Sequence, residues 1–289
     1  MKNSTKDSKP QLYVGTCGFS YRDWIGPFYP LGTKSADMLA YYAGSFGTVE
    51  IDSTYYAVPK PTLFEGMNRR TPPEFRFTVK APGSITHAPS EIEFSGNDDT
   101  TAEATAFRDC LEPIVASGKL GAILLQFPHA FRPGRQTSRR LEAMRSFWPD
   151  LPLVAEFRHR EWQRNDSLEF LRGLGIGWCN VDEPRFASLM RPGAEVTSPI
   201  GYVRFHGRNA GQWWQQDREP GARYDYLYSE TELVEWLPRI AEVTSAATET
   251  YVFFNNHRLG KAAHNARDMS GLLRVRPPEK PAERELRLF

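Results

Sequence analysis

The sequence is poor in cysteine, with three residues in 289, and none of them pairs at CxxC spacing. This excludes a disulfide framework and favours a reducing, cytoplasmic compartment. An apolar run of about 18 residues is also missing, so we expect no transmembrane helix and no membrane partner. The first residues, MKNSTKDSKPQ, are polar and lack the apolar centre of a Sec signal peptide.

An excess of charge of either sign is missing as well. Lysine and arginine number 36, aspartate and glutamate 35, and the net charge is +1. The strongly basic balance typical of nucleic-acid-binding proteins is therefore absent from the chain as a whole, although a local basic patch remains compatible with it. The motifs GxGxxG, GxSxG and HExxH are missing too, so we predict no cofactor and no metal.

What is present is a series of eight short apolar runs that predict strands. Most are separated by segments of helical character, and Ser229-Glu-Thr-Glu232 predicts a capping box at the start of one of them. Strands that alternate with helices indicate a parallel sheet covered by helices. The predicted strands are residues 13–18, 48–52, 75–81, 122–127, 153–158, 176–182, 201–206 and 251–256. The predicted helices are residues 35–46, 101–117, 137–147, 167–174, 230–243 and 261–273.

Eight such strands with no break in composition predict a single-domain (β/α)8 barrel of the TIM type over residues 12–275. We expect residues 1–11 and 276–289 to be disordered or loosely packed tails, and the Pro-rich stretch 276–281 to end the last helix. The alternative is an open doubly wound sheet. It is weaker because Gly15-Thr-Cys-Gly18 after the first strand is not a phosphate-binding GxGxxG loop.

Along a strand of a barrel, every second side chain points into the lumen and the others point toward the helices. Charged side chains in the predicted strands follow this alternation, so that those of one strand share one parity. Where one parity is charged, the opposite parity is mostly apolar, so we assign the charged parity to the lumen. Barrel active sites lie at the C-terminal ends of the strands. The candidate catalytic residues at these ends are Asp52, Lys80, Glu156, Asp182 and His206. Deeper lumen positions on the same parities are Glu50, Arg76, Thr78, Trp178, Asn180, Tyr202 and Arg204.

Aromatic, histidine and arginine residues collect in the loops that follow the strands. Such side chains suit stacking on sugars or bases and binding of phosphate or carboxylate groups. The candidate substrate-binding residues, together with Arg204 of the lumen, are Tyr21, Trp24, Tyr55, His87, Gln126, Arg158, His159, Trp162, Arg208, Trp214, Asn255, Asn256 and His257.

Structural roles are the alternative for these residues. The deep charges would form a salt-bridge network that fills the lumen, and aromatic residues such as Trp24 would pack the loops. Lys80 is either a base or Schiff-base amine, or an ion-pair partner of Asp52 or Glu50. Cys17 has the outward parity and is expected to be a buried structural thiol. A mixed carboxylate–histidine metal site is not favoured, because the lumen arginines compete for the carboxylates.

Ordered motifs along nearly the whole chain resemble the YecE-like family, known as domain of unknown function 72. The resemblance runs from Tyr13 to Leu273 and implies a TIM-type barrel, but it supplies no reaction. The barrel is similar to those of the endonuclease IV and xylose isomerase group in fold alone, since those enzymes use histidine and carboxylate metal clusters and this lumen is rich in arginine. The motifs are YVGTCGFSYRDW at 13–24, FYP at 28–30, YAGSFGTVEIDSTYY at 42–56, TPPEFRFTVKAP at 71–82, ITH at 85–87, LLQFPHAF at 124–131, AEFRHREW at 155–162, VRFHGR at 203–208 and VFFNNHRLGKAAHNA at 252–266.

From these residues we expect an enzyme, a hydrolase or a lyase, that acts on a small anionic substrate containing phosphate or sugar. The anion would be bound by arginines, and the strand-end carboxylates, His206 and Lys80 would supply the general base and acid. A second hypothesis is nucleic-acid binding or processing, with tryptophans stacked on bases. A third is a small-molecule binder without catalysis.

Overall fold

The structure is a computed structural model, and it describes residues 10–87, 99–215 and 221–278. Its eight parallel strands form one sheet in the order β1-β8-β7-β6-β5-β4-β3-β2. β1 and β2 are joined by a bridge between Cys17 and Glu50, so the sheet is a nearly closed barrel. This confirms the (β/α)8 prediction and excludes the open sheet. The strands are β1 (Gln11–Thr16), β2 (Thr48–Ile51), β3 (Arg76–Lys80), β4 (Leu120–Gln126), β5 (Leu153–Glu156), β6 (Gly177–Asp182), β7 (Ile200–Phe205) and β8 (Glu249–Phe254).

Helices surround the barrel and cover its apolar outer face. The capping box at Ser229 is formed, but the predicted helix 230–243 is two helices, because Pro238 has no N–H to continue the first one. The helix between β2 and β3 was not predicted. The helices are α1 (Ser35–Ala43), α2 (Pro61–Arg69), α3 (Gly83–Thr86), α4 (Asp99–Ala116), α5 (Arg135–Phe147), α6 (Asn165–Leu174), α7 (Ala210–Trp213), α8 (Glu230–Val234), α9 (Leu237–Ala246) and α10 (Lys261–Leu273).

The core lies between the strands and the helices, where the outward-facing residues of the strands are buried. Val49, Phe77, Val203 and Phe205 are each 0% exposed, as their apolar parity predicts. Among the described helices, none has the length and apolarity needed to cross a membrane. Most of the two predicted tails lies outside the described residues, although β1 already begins at Gln11.

The seam between β1 and β2 is held by α1. The hydroxyl of Tyr42 accepts a hydrogen bond from the Thr16 backbone N–H at 2.9 Å and donates to the Thr48 carbonyl at 3.0 Å. Gly15 allows the two strands to approach, because a Cβ at this position would lie 2.4 Å from the Thr48 carbonyl oxygen. The seam is therefore closed mainly by the Tyr42 side chain and by the close approach of Gly15 to Thr48, and less by a regular ladder of backbone hydrogen bonds.

Candidate functional site

Arg204 of β7 lies in the lumen between two carboxylates. Its Nη2 donates to Glu50 Oε1 at 2.6 Å, and its Nη1 donates to Glu156 Oε2 at 2.5 Å. The hydroxyl of Tyr202 donates to the other oxygen of Glu50 at 2.7 Å. All four side chains are buried. Each of these charged groups has a partner of opposite charge, so this part of the lumen is a salt-bridge network. That is the structural role given above as the alternative for the deep lumen residues.

Arg158 extends the network to the barrel mouth. Its Nη2 lies 2.8 Å from Glu156 Oε1, and its Nη1 donates to Glu183 Oε2 at 3.0 Å. Burial by itself would raise the pKa of Glu156, but Arg158, Arg204 and His206 hold that pKa well below its usual range. Burial raises the pKa of Glu183 to about 7, although Arg158 opposes the rise. Glu156 is thus a fixed anion, and Glu183 is the carboxyl group that titrates near neutral pH.

His206 follows β7 and is fully buried beside Glu156. Its Nε2 lies 3.2 Å from Glu156 Oε1, and its Nδ1 lies 3.1 Å from the amide nitrogen of Asn255. Burial, followed by the charge of Arg158, lowers the pKa of His206 to about 3, so the ring is neutral at physiological pH. With Asn255 as donor to Nδ1, the ring proton is on Nε2 and faces Glu156.

Two charged side chains at the mouth differ from the network, because the structure places no ion-pair partner within 4.0 Å of either among the described residues. Lys80 ends β3 with its Nζ 4.0 Å from the centre of the Tyr55 ring. Burial, followed by the charge of Arg204, lowers the pKa of Lys80 to about 8. Burial and then the charge of Glu50 raise the pKa of Asp52. The alternative in which Lys80 pairs with Asp52 or Glu50 is therefore wrong.

A cavity of about 210 Å³ opens at the mouth above β4 and β5. Among the described residues, its positive charges are those of Arg158 and Arg223, and no aspartate or glutamate of these residues lines it. Burial, followed by the charge of Lys80, lowers the pKa of His87 to about 4, so this ring is neutral. Such a lining suits an anion. The lining residues are His87, Gln126, Phe127, Pro128, His129, Arg158, Leu189, Trp213, Trp214, Arg223 and Tyr224.

Asp52 lines a second cavity, of about 310 Å³, between the loop after β1 and α2. Tyr21 also lines it, donates to the Cys17 carbonyl at 2.8 Å and stacks on His257 at 4.8 Å between ring centres. The His257 ring also lies 5.4 Å from the ring of Tyr224, which lines the first cavity. Within the described ranges, no three histidine, cysteine, aspartate or glutamate side chains form a group that could hold a metal ion.

The structure places Asp182 and Arg208 outside the lumen, which corrects their predicted position. Asp182 is fully buried and accepts hydrogen bonds from Tyr228, Trp236 and both ends of the Arg208 guanidinium. Arg208 also contacts Glu232 and a second glutamate, both near α8. Asp182 and Arg208 therefore fasten the segment after β7 to the helical layer.

Three further candidates lie in the core instead of at the rim. Trp24 is 0% exposed and donates from its indole nitrogen to the His257 carbonyl. Trp162 is 1% exposed and donates to the Phe131 carbonyl. Asn256 is 0% exposed and donates to the Tyr226 carbonyl. In each case a backbone carbonyl satisfies the polar end of the side chain, which is the packing role given as the alternative for Trp24. His159 is also buried, and its ring packs against His129, which lines the first cavity.

The predicted parity is right for β2, β3, β5 and β7 and wrong for β6. Cys179 and Val181 are level with the lumen residues Tyr202 and Arg204 of the neighbouring strand, so Trp178, Asn180 and Asp182 face the helices. Cys17 is likewise level with Glu50, and Arg204 Nη2 lies 3.4 Å from its sulfur. Cys17 is thus a buried thiol, as expected, but it lies inside the lumen.

Sequence reasoning missed four residues of the mouth. Glu183 continues the inward parity of Cys179 and Val181, a signal that was available once β6 was given the right parity. His129, Arg223 and Tyr224 line the cavity from loops, and no strand alternation could have indicated them.

Comparison with known proteins identifies relatives along almost the whole chain. The model of the family "Protein of unknown function DUF72" matches residues 13–286. The UPF0759 protein YunF of Bacillus subtilis (strain 168) is 32% identical over 279 residues, which cover 91% of this chain and 95% of that protein. A DUF72 family protein from Thermotoga maritima MSB8 is 40% identical, with a TM-score of 0.82, over 91% of this chain and 99% of that one. A DUF72 family protein from Enterococcus faecalis V583 is 28% identical, with a TM-score of 0.81, over 94% and 99%.

Proposed function

This chain belongs to the DUF72 family of proteins of unknown function, and from the barrel mouth we propose that it is an enzyme acting on a small anionic substrate. The substrate carries a phosphate or carboxylate group, and the reaction is a lyase or hydrolase step. The observation that carries the proposal is Lys80, a largely buried amine at a strand end with no carboxylate within ion-pair distance among the described residues.

A largely buried ammonium group without a carboxylate partner destabilises the folded protein, because the charged form has lost much of its hydration and the Tyr55 ring replaces only part of it. In the same lumen Arg204 and Arg158 are both paired with carboxylates, so the fold pairs its structural cations. Lys80 is the exception, and burial brings its pKa to about 8. A pKa near the working pH is what a proton-transferring amine needs.

The anion is bound in the first cavity. Arg158 is held from behind by Glu156 and Glu183, which fix the plane of its guanidinium at the cavity wall. Arg223 also lines the cavity and lies over the ring of Trp213, with its guanidinium carbon 4.8 Å from the ring centre. A cavity with two guanidinium groups and no carboxylate favours a phosphate or carboxylate of the substrate.

In the proposed reaction the neutral amine of Lys80 takes a proton from the substrate. For a lyase step the proton comes from a carbon next to a carbonyl group, and the C–H electron pair forms an enolate. The enolate pair then forms a double bond to the next carbon as the bond from that carbon to the leaving group breaks, and the leaving group departs with the electrons of that bond. The ammonium form of Lys80 then returns the proton to the leaving group. The arginines stabilise the developing negative charge, and Glu156 stays ionised throughout because its pKa is held low by Arg158, Arg204 and His206.

Reductive trapping tests the central residue without knowledge of the substrate. Glyoxylate, an anionic aldehyde, is incubated with the protein and cyanoborohydride at neutral pH, and modified lysines are identified by peptide mass spectrometry. We expect Lys80 to react faster than the exposed Lys60, and we expect Arg158→Lys to slow the reaction at Lys80 alone. Equal reactivity of the two lysines in the folded wild type would overturn the role of Lys80.

Turnover is tested by proton NMR in D2O with a panel of phosphorylated and carboxylated carbonyl compounds. Incorporation of deuterium or release of product should depend on Lys80 and disappear in Lys80→Met. Lys60→Met is the matched control and should behave as wild type. Turnover that survives in Lys80→Met would contradict the mechanism.

A further inference from the structure

Trp214 is a half-exposed indole at the edge of the first cavity, with 50% of its surface accessible. His129 meets it edge to face, at 5.5 Å between centres and 78° between planes. Phe186 is tilted against it at 57°. Among the described residues, no ring stacks in parallel on Trp214. Half of the surface of Trp214 is thus accessible at the edge of the cavity, where a ligand can reach it.

The neighbouring Trp213 shows the opposite arrangement. It is 2% exposed, and the guanidinium of Arg223 covers its ring. Trp214 keeps half of its surface accessible beside this covered ring, and it lines the same cavity as Arg158. The site therefore combines a guanidinium group for an anion with an indole face for a flat group.

The lining of the cavity favours an aromatic ring over a sugar ring. Sugar hydroxyls need several hydrogen-bonding partners, and the described part of the chain contributes no aspartate, glutamate or asparagine to the lining. The one side-chain amide, that of Gln126, already accepts from Arg204 at 3.4 Å. The imidazole of His87 is neutral and its Nδ1 lies 3.0 Å from the Thr86 hydroxyl. Aromatic and neutral imidazole rings dominate the remaining wall.

We infer that the substrate bears a planar aromatic ring that stacks on Trp214, while its phosphate or carboxylate is bound at Arg158. The substrate class is an aryl or heteroaryl anion. This inference rests on the proposed function, because it needs the anion site in the same cavity. It adds Trp214 as the residue that distinguishes aromatic anions from other anions.

Isothermal titration with matched phosphate monoesters tests the stacking. Phenyl phosphate and methyl phosphate carry the same anionic group, and glucose 6-phosphate replaces the ring by a sugar. We expect wild type to bind phenyl phosphate about tenfold more tightly than methyl phosphate, the factor that corresponds to ~1.4 kcal/mol. Trp214→Ala should remove this difference and leave methyl phosphate unchanged. Trp214→Phe should keep it, and Val234→Ala, at an exposed position on α8, is the control.

The outcomes separate the two proposals. Equal binding of phenyl and methyl phosphate, with both weakened by Arg158→Lys, overturns the aromatic inference and leaves the anion site in place. Glucose 6-phosphate that binds as tightly as phenyl phosphate, with a loss in Trp214→Ala, replaces the aromatic ring by a sugar. Absence of binding by all three phosphates to folded wild type removes the anion site and the inference with it.

Discussion

Arg208 holds both carboxylate oxygens of Asp182, with its Nε 2.9 Å from Oδ1 and its Nη2 2.8 Å from Oδ2. Tyr228 and Trp236 donate to the same carboxylate at 2.8 and 2.7 Å, so four donors surround one buried anion. A carboxylate this fully bonded has no lone pair directed to a substrate. Its role is to fix the chain after β7, which carries Trp213 and Trp214 to the cavity.

Asp182→Ala should therefore destabilise the protein without abolishing the chemistry of Lys80. The change leaves the hydroxyl of Tyr228 and the indole N–H of Trp236 unpaired in the core, and we expect a loss of ~3–5 kcal/mol in the free energy of unfolding. Urea denaturation measures the loss. Folded Asp182→Ala should still react with glyoxylate at Lys80, and a variant as stable as wild type would contradict the structural role.

We expect Arg204→Ala to lower the melting temperature strongly, and Trp214→Ala to weaken ligand binding with little change in melting temperature. Removal of Arg204 leaves Glu50 and Glu156 buried without their shared cation, so we expect a loss of ~3–5 kcal/mol and a much lower melting temperature. Trp214 is half exposed, and its loss should change the melting temperature little while it weakens the binding of phenyl phosphate. Thermal melts of both variants, with and without phenyl phosphate, decide the matter. A Trp214→Ala protein that melts far below Arg204→Ala would mean that core and rim are exchanged.

Lys80→Met should stabilise the protein at neutral pH. Burial lowers the folded-state pKa of Lys80 from its ordinary value of 10.5 to about 8. Between these values the unfolded chain binds more protons than the folded one, so the stability of wild type rises with pH across this window. The ammonium form therefore costs ~1–3 kcal/mol below pH 8, and Lys80→Met should gain this amount there.

Urea denaturation at several pH values measures this gain, which should shrink as the pH approaches 10.5. Lys60→Met is the control and should show no such trend. If Lys80→Met is less stable than wild type at neutral pH, the contact of the ammonium group with the Tyr55 ring outweighs the cost of its burial, and the prediction is wrong.

Anion affinity should increase as the pH falls through about 7, the pKa to which burial raises Glu183. Protonation of Glu183 removes one of the two carboxylates that compete for Arg158, so its guanidinium is freer to bind an added anion. Sulfate is the probe, since its charge is constant in this range. Glu183→Gln should bind sulfate more tightly than wild type above pH 7 and lose most of the pH dependence. An unchanged profile in Glu183→Gln would assign the dependence to Lys80, which gains its proton near pH 8.

The barrel could be predicted from the sequence because most of its strands have apolar outer faces and most are separated by helices, although none lies between β6 and β7 in the described structure. The centre of the site was predictable for the same reason, since Glu50, Glu156 and Arg204 are charged residues that alternate with buried apolar ones. The predicted orientation of β6 was wrong because Asp182 is also a charged residue in an alternating pattern. Its hydrogen-bonding partners, Tyr228 and Trp236, lie far along the chain on the helical side of the strand. Alternation tells which residues share a face, and only the partners tell which face it is.

The rim was harder to predict than the lumen. Trp24 and Trp214 are both tryptophans in loops after strands, yet one is 0% and the other 50% exposed. The difference is set by contacts with distant segments: the Trp24 indole nitrogen donates to the carbonyl of His257, whereas the ring contacts of Trp214, with His129 and Phe186, leave half of its surface accessible. Loop sequence carries no periodicity from which such contacts could be inferred.

Arg204 has a further consequence for the way in which the chain folds. It touches Cys17 and Glu50 on the two sides of the seam, 187 and 154 residues away along the chain. These contacts form only after β7 has joined strands from the other end of the protein, and contacts of such high sequence separation slow folding. In a truncated or half-synthesised barrel Glu50 would lack its partner Arg204. The network therefore stabilises the fold only when the chain is complete. Folding should therefore be cooperative across the whole barrel, with the seam as its final step.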